Sequence, residues 1–256
     1  MNYLKSDLEL EKKLHILKRR FKLIGLKAEF EAEGSTVSDI HFLRRLTKNC
    51  NTKLFVKIGG VEAINDIYNC IEIGVDGIIA PMVETKFALY KFKESIMKLD
   101  IKNKPHLSIN IETINGYKNI AEILKLSKNF IDNITVGRSD FSKSFFNKKI
   151  KQDSHQVLEK IIIIAKKAKK YNISTTVGGG INSNTIRLYR KEKDIKKLIS
   201  RLETRKVILP TNIFLNKNLA LNSALDFEKS YIVSKKKRYE MRTSSEINRL
   251  SILSTR

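Results

Sequence analysis

The chain has 256 residues, which is long for one hydrophobic core and short for two, so a single large domain is the first expectation. Its apolar fraction of 41% and charged fraction of 30% exclude an intrinsically disordered chain. The net charge of +23 suggests a nucleic-acid partner, but the basic residues are spread along the whole chain and do not interleave with aromatic residues. We therefore expect a solvated basic surface, with nucleic-acid binding as the less favoured alternative.

Cysteine content and apolar runs point to a cytoplasmic protein. Cys50 and Cys70 are the only cysteines and neither belongs to a CxxC motif, so two reduced thiols are expected. The longest apolar run, IIIIA at 161–165, is far shorter than the ~20 residues that a membrane span needs. No apolar stretch follows the opening MNYLKSDLELEKK. The sequence thus predicts a protein that neither crosses a membrane nor is exported.

Short β-branched runs alternate with longer stretches of helical period, which is the pattern of βα units around a parallel sheet. After an N-terminal helix at 5–20, seven strands are predicted at 22–31, 53–57, 76–80, 106–111, 133–137, 173–178 and 205–209. Helices are predicted between them at 36–49, 61–73, 84–98, 116–128, 153–171 and 183–201. Ser35, Asn115 and Asp153 are suitable capping residues for three of these helices.

Seven regular repeats over this length predict an α/β protein with a (β/α)8 TIM-type barrel, although the eighth strand is not located. An open doubly wound sheet is the alternative. The N-terminal helix would either close the barrel floor or replace the first unit, which would then be modified. Residues 218–254 are predicted to form two helices after the last strand. We therefore expect a barrel with its N-terminal helix at 1–217, and a helical extension at 218–256 that packs on the barrel or on a neighbouring subunit.

Three predicted strands carry polar side chains on one face, because side chains alternate along a strand. These side chains are Lys27, Glu29, Glu31 and Glu33 on the first strand, Lys53 and Lys57 on the second, and Ser108, Asn110 and Glu112 on the fourth. A structural barrel interior would hold branched apolar residues, so this polarity predicts a ligand, a metal or a network of ion pairs. The groups lie near the C-terminal ends of the strands, where barrel enzymes carry their active sites.

Further candidates follow the fifth and sixth strands at the same edge. Arg138 and Ser139 follow the fifth strand, and Gly178 and Gly179 belong to a GGG run after the sixth. Glycines at this place let backbone N–H groups approach an anion. Together with Asn110, these four residues are the predicted substrate-binding residues.

Glu112 and Asp140 end adjacent predicted strands and offer hard oxygen ligands. They would hold a divalent cation whose remaining positions are filled by water and by substrate oxygens. The alternative is a structural network in which the two carboxylates pair with Lys57 and Arg138. Spacing alone leaves both interpretations open.

Three segments resemble the HpcH/HpaI aldolase and citrate lyase β-subunit family, within the phosphoenolpyruvate/pyruvate superfamily of barrels. They are VKIGGVEAINDIYNCIEIGVDGIIAPMVET at 56–85, INIETINGYKNIAEIL at 109–124 and TVGRSDFSKS at 135–144. The resemblance covers most of residues 20–210. It implies that Glu112 and Asp140 bind Mg²⁺ or Mn²⁺, which chelates pyruvate or a related oxoacid.

Two departures from the family pattern affect the predicted catalytic residues. Lys57 stands where the family usually has an arginine, so it is the candidate enolate stabiliser without arginine's planar pair of donors. The aldolase branch also carries an acid and a histidine near the first strands, whereas AEFEAEG here has no histidine. Glu29, Glu31 or Glu33 would be the general base if burial or neighbouring acids raised its pKa toward neutrality. The alternative is that these carboxylates neutralise Lys27 and Lys57.

The favoured prediction is therefore a metal-dependent carbon–carbon lyase or aldolase that acts on a small oxoacid through a pyruvate-like enolate. The resemblance also implies a homo-oligomer that exchanges its C-terminal helices. A CoA thioester lyase of the citrate lyase β type is one alternative, and a catalytically silent barrel serving as a binding or regulatory subunit is another. Nucleic-acid binding through SKKKRYEMR at 234–242 is the weakest hypothesis.

Overall fold

The structure is a computed structural model that describes residues 4–255, and in it eight strands form a closed barrel surrounded by helices. The strands are β1 (Gly25–Glu29), β2 (Lys53–Lys57), β3 (Gly77–Ala80), β4 (His106–Ile111), β5 (Asn133–Gly137), β6 (Ser174–Gly178), β7 (Arg201–Glu203) and β8 (Val207–Pro210). The helices are α1 (Lys5–Phe21), α2 (Val37–Asn49), α3 (Ile64–Ile73), α4 (Lys86–Met97), α5 (Ile114–Lys118), α6 (Ile120–Ser127), α7 (Arg138–Lys143), α8 (His155–Lys169), α9 (Ser183–Lys191), α10 (Lys193–Leu198), α11 (Thr211–Asn216) and α12 (Leu219–Ser254). The predicted TIM-type barrel is confirmed.

The strand that the sequence left unlocated is β7, which has only three residues, Arg201–Glu203. The helix predicted at 183–201 is in fact two short helices that end at Leu198. β7 pairs in parallel with β6, but β8 runs antiparallel to both β7 and β1. The link at 204–206 is too short for a crossover helix, so these two strands can only form a hairpin. The barrel therefore closes with a β-hairpin in place of a last βα unit.

The two faces of the strands differ as the alternation predicts. The outer face packs the helices through buried residues such as Leu26, Val56 and Ile109. The inside holds a small apolar cluster of Phe55, Ile79 and Ile208, and polar side chains lie around and above it toward the C-terminal ends of the strands. The Phe55 ring fills the space left by glycines, since a Cβ at Gly77 would lie 2.4 Å from a ring atom. The polar barrel interior that the sequence indicated is thus confirmed.

Polar residues inside the barrel satisfy one another by hydrogen bonds. Asn133 Nδ2 donates to Ser108 Oγ at 2.8 Å and to Thr135 Oγ1 at 3.2 Å, and Thr176 Oγ1 donates to Asn133 Oδ1 at 2.9 Å. These bonds compensate the lost hydration of groups from β4, β5 and β6. The network lies directly below the mouth of the barrel and supports the side chains that reach it.

The terminal helices α1 and α12 pack against each other. A regular first βα unit, β1 followed by α2, is present. Helix α1 is therefore an additional helix and does not replace that unit. The two helices predicted at 218–254 are one continuous helix, α12, whose buried positions end at Ser234. The boundary predicted between 217 and 218 stays a prediction, and residues 1–3 and 256 lie outside the described range. None of the helices in residues 4–255 is long and apolar enough to cross a membrane.

Candidate active site at the mouth of the barrel

A pocket of about 160 Å³ lies at the C-terminal ends of the strands. Its lining residues are Lys27, Glu29, Ala32, Lys57, Asn110, Glu112, Thr135, Gly137, Ser139, Asp140, Gly179, Gly180, Glu203, Thr204 and Arg205. Most of the residues predicted from the sequence therefore meet in one place. Glu31, Arg138 and Gly178 do not line the pocket.

A chain of ion pairs crosses one side of the pocket. Lys27 Nζ lies 2.7 Å from a Glu203 carboxylate oxygen and 3.1 Å from one of Glu29, and Lys57 Nζ lies 3.1 Å from the other Glu29 oxygen. Burial alone would lower the pKa of Lys27, but the attraction of the Glu203 and Glu29 carboxylates outweighs it and raises that pKa. Lys27 is therefore a permanent cation and cannot act as an amine nucleophile at neutral pH.

The same ion pairs argue against Glu29 as the general base. Burial alone would raise the pKa of Glu29, but Lys27 and Lys57 outweigh it and hold the pKa at about 2. A base needs a pKa near the working pH, so the structure does not support Glu29 as the general base. The alternative interpretation, in which Glu29 neutralises the two lysines, is the one that the structure shows.

Glu31 is exposed in the loop after β1 and lies outside the pocket. A Cβ on Gly59, in the loop after β2, would lie 2.8 Å from Glu31 Cγ, which shows that the Glu31 side chain runs along that neighbouring loop. Strand β1 ends at Glu29, so the alternation that aligned Glu31 with Lys27 does not continue to it. The structure does not support Glu31 as a general base.

Glu112, which directly follows β4, and Asp140, in the first turn of α7 after β5, line the same pocket. Asn110 Nδ2 donates a hydrogen bond of 2.6 Å to Glu112 Oε1 and orients that carboxylate. Gly137 leaves the necessary room, because a Cβ there would lie 2.7 Å from Glu112 Cγ. Burial raises the pKa of Glu112, and the nearby Lys57 and Asn110 oppose this rise.

The ion pairs that would make Glu112 and Asp140 purely structural are not formed among residues 4–255. Lys57 pairs with Glu29, and Asp140 pairs with the exposed Lys143 at 3.1 Å. An exposed pair of this kind contributes little to stability. Both carboxylates therefore retain oxygen atoms that are available to a ligand.

The donor set fits a hard divalent cation with open coordination positions. Glu112 and Asp140 supply carboxylate oxygens, which Mg²⁺ and Mn²⁺ prefer, and water or substrate oxygens would complete the shell. Among residues 4–255 a trio of His, Cys, Asp or Glu ligand atoms within 4.8 Å of one another occurs only elsewhere, on α1 and after α2. A cation at the mouth would accordingly have two protein carboxylates.

Arg138 supports the site from outside the pocket. Its guanidinium is fully buried, and Nε and Nη2 donate to the carbonyl oxygens of Gly178 and Gly179 at 3.1 and 2.7 Å. Nη1 donates to Thr185 Oγ1 and to the Asp153 carboxylate. Arg138 is the first residue of α7, so its side chain leaves in a direction that strand alternation does not describe. The structure directs it away from the substrate side and makes it a positioning residue.

The two predicted glycines also act mainly by close packing. A Cβ on Gly178 would lie 2.8 Å from a Glu203 carboxylate oxygen, so this glycine admits Glu203 to the barrel interior. Gly179 has φ of +79°, and a Cβ there would lie 2.7 Å from the backbone nitrogens of Arg138 and Ser139. Only glycine combines that φ with such an approach. Gly179 does line the pocket, beside Ser139, whose Oγ donates to Gln152 at 3.3 Å.

The hairpin brings three residues to the pocket that the sequence did not assign to the site, namely Glu203, Thr204 and Arg205. Strand β7, which ends at Glu203, is too short to show the periodicity that located the other strands. None of the histidines among the described residues lines the pocket. His106 lies at the start of β4, where burial and the neighbouring Arg201 lower its pKa to about 4.

Comparisons with known proteins agree with this architecture. A model of the HpcH/HpaI aldolase/citrate lyase family matches residues 34–193. No match is found among curated proteins. An HpcH/HpaI aldolase/citrate lyase family protein from Burkholderia cenocepacia J2315 has a TM-score of 0.62 and 13% identity, covering 94% of this chain and 90% of that one. An HpcH/HpaI aldolase from Desulfitobacterium hafniense DCB-2 has a TM-score of 0.60 and 14% identity, covering 80% and 83%.

A third solved structure is the CitE protein from Mycobacterium tuberculosis in complex with magnesium and acetate. It has a TM-score of 0.50 and 12% identity, and the match covers 80% of this chain and 86% of that one. Identities this low show a shared fold, whereas the family match spans more than half of the chain and includes Lys57, Glu112 and Asp140. The chain is therefore a lyase-type enzyme, and it belongs to the HpcH/HpaI aldolase/citrate lyase family.

Proposed function

We propose that this protein is a divalent-metal-dependent carbon–carbon lyase or aldolase that acts on a small oxoacid. The observation that carries the proposal is the pair of carboxylates, Glu112 after β4 and Asp140 in the first turn of α7, which line one pocket near the Lys57 ammonium group. Mg²⁺ or Mn²⁺ bound there would act as a Lewis acid on the carboxylate and keto oxygens of the substrate. The magnesium and acetate bound to the Mycobacterium tuberculosis protein support this choice of cation and of ligand class.

Lys57 is the residue best placed to stabilise negative charge on the substrate. Its Nζ is held by Glu29 at 3.1 Å, and its side chain is 16% exposed, so the ammonium group is oriented and mostly shielded from water. A preorganised cation in such a site stabilises charge that develops on the substrate's carbonyl oxygen as the carbon–carbon bond breaks. Glu29 keeps Lys57 in position and takes no proton itself, because its pKa is about 2.

The remaining lining residues favour a short, anionic substrate. The pocket of about 160 Å³ is smaller than the about 300 to 1,000 Å³ of pockets for drug-sized ligands. Arg205 is exposed at the rim and offers a cation for a carboxylate, while Asn110 and Ser139 offer polar groups inside. A CoA thioester would have to place its nucleotide outside this pocket. The small oxoacid is the proposal that the pocket volume supports.

The test is a calorimetric titration of chelator-treated protein with Mg²⁺ or Mn²⁺, with and without pyruvate or oxaloacetate. We expect the metal to bind more tightly when the oxoacid is present, because both ligands share coordination positions. Asp140→Asn and Glu112→Gln should lose this coupling, and both should lose turnover of any oxoacid that the wild type cleaves. Glu31→Gln is the matched control, since it removes an exposed carboxylate near the mouth that does not line the pocket.

The same experiment separates this proposal from a catalytically silent barrel. The proposal fails if Glu112→Gln and Asp140→Asn bind the cation as the wild type does, or if no cation binds at all. A silent binding subunit would bind metal and oxoacid without turnover in any assay. Retention of both carboxylates in an accessible pocket favours the enzyme.

We also propose a cytoplasmic homo-oligomer. Both cysteines are free and buried, in agreement with a reducing compartment. The distal part of α12 exposes apolar side chains, with Ile247, Leu250 and Ile252 each more than half exposed. A second copy of the chain would cover them. Light scattering should give a mass that is a multiple of the monomer, and a truncation after residue 240 should reduce it.

A further inference from the structure

A second cluster of metal-ligating side chains lies on the outside of the barrel. Glu11 and His15 are one turn apart on α1 and face Cys50, the residue that follows α2. One ligand atom of each, a carboxylate oxygen, a ring nitrogen and the sulfur, lies within 4.8 Å of the other two. Three ligand types therefore converge from two elements that are far apart in sequence.

The positions of these ligands are fixed by packing that does not involve them. Leu10, Leu14 and Leu17 are buried and fix the rotation of α1. Lys18 Nζ donates to the carbonyl oxygens of Cys50 and of the following residue, both at 2.9 Å. This contact ties the end of α2 to α1, so the three ligands are brought together before any ion binds.

The cluster has a buried side and an open side. Cys50 is 2% exposed, whereas Glu11 is partly buried and His15 is exposed. An ion would thus enter past His15 and keep one coordination position toward water. The site is also remote from the barrel mouth, because Cys50 precedes β2 and so lies at the opposite, N-terminal end of that strand.

We propose that Glu11, His15 and Cys50 form a Zn²⁺ site that links α1 to the end of α2. A thiolate and an imidazole are poor ligands for Mg²⁺ or Ca²⁺ and good ligands for Zn²⁺, which takes sulfur, nitrogen and oxygen in a tetrahedron. A water molecule is the fourth ligand. The thiolate and the carboxylate together balance the charge of the ion, while the Lys18 ammonium group is held by backbone carbonyls.

The ion would link two elements of the fold. It joins α1, which packs along α12, to the α2 end that leads into β2. Binding requires loss of the thiol proton, because burial raises the pKa of Cys50 to about 11 in the metal-free protein. This proposal does not depend on the proposed function, since it uses none of the residues at the barrel mouth.

The experiment is a titration of the chelator-treated full chain with Co²⁺, a spectroscopic substitute for Zn²⁺, in the Glu112→Gln background that disables the mouth site. We expect a thiolate-to-cobalt charge-transfer band that saturates at one equivalent and disappears when Zn²⁺ is added. The band should be lost in Cys50→Ser and in His15→Ala. Cys70→Ser is the matched control, because Cys70 is also a free, buried thiol but has no such ligand cluster among the described residues.

A second readout keeps the proposal testable if Cys50→Ser does not fold. His15 is exposed, so His15→Ala should fold normally. Zn²⁺ should raise the Tm of the Glu112→Gln protein, and this increase should be lost when His15→Ala is added. The proposal is overturned if no charge-transfer band appears, or if His15→Ala keeps both the band and the Tm increase. A band that persists in Cys50→Ser and vanishes in Cys70→Ser would place the ion elsewhere and would equally overturn it.

Discussion

Replacing Arg138 with methionine tests whether this residue holds the barrel mouth together or binds substrate. Methionine keeps an unbranched apolar stem but removes the guanidinium, which donates to the carbonyls of Gly178 and Gly179, to Thr185 and to Asp153. Removing one partner of a buried ion pair costs about 3 to 5 kcal/mol. The Asp153 side chain is 23% exposed and regains some hydration. We therefore expect the free energy of unfolding to fall by about 3 kcal/mol, the lower end of this range.

Urea denaturation of the chelator-treated protein measures this loss, provided that the slope of the transition is unchanged. Arg138→Lys is the matched variant, because it keeps the charge but cannot reach two carbonyls and a carboxylate together. It should fall between the wild type and Arg138→Met. A loss below about 1 kcal/mol for Arg138→Met would be typical of an ordinary substitution and would refute the anchoring role. A higher KM for the oxoacid at unchanged stability would make Arg138 a substrate-binding residue after all.

Three further predictions concern the ion pairs and the glycine beside them. Glu29 has a folded pKa of about 2, below its unfolded value, so it stabilises the fold at neutral pH. The free energy of unfolding should fall by about 3 kcal/mol as the pH falls from about 5 toward 2. Urea denaturation at a series of pH values should show a smaller dependence on pH in Glu29→Gln. Gly178→Ala should cost about 1 to 3 kcal/mol, since its Cβ would meet the Glu203 carboxylate, whereas Gly60→Ala, with no atom within 4 Å, should be nearly neutral in the same assay. Lys57→Met should lower kcat by about 10²- to 10³-fold, as for a lost charge-stabilising donor, with Lys57→Arg retaining more activity. Equal kcat values in the two Lys57 variants would contradict the charge role.

The sequence predicted the fold well where a repeating pattern existed. Strands β2, β4 and β5 were predicted with the boundaries that the structure has, because each is a short apolar or β-branched run between turn residues. Strand β7 has only three residues, which is too few to show the alternation of side chains by which a strand is recognised in a sequence. The antiparallel direction of β8 depends on the length of the link before it, and that length was unknown without β7.

The sequence predicted which residues belong to the candidate site, but it did not predict which of them contact one another. Alternation correctly placed Lys27, Glu29 and Lys57 inside the barrel. It could not show that Glu29 lies within 3.1 Å of both lysines, and that distance decides whether its pKa rises or falls. Arg138 was misplaced for a related reason, because β5 ends at Gly137 and a helix begins at the next residue.

The charge balance of the mouth depends on two parts of the chain that lie outside the family match at 34–193. Lys27 and Glu29 come from β1, before the match begins, and Glu203 comes from the closing hairpin, after it ends. Glu112 lies inside the match with Lys57 and would be a metal ligand. Lys27 pairs with Glu203 as well as with Glu29, and both carboxylates raise its pKa, while Lys57 pairs with Glu29 and lies near Glu112. The hairpin therefore does more than close the barrel, because Glu203 shares the charge of Lys27 with Glu29, whose second carboxylate oxygen holds Lys57.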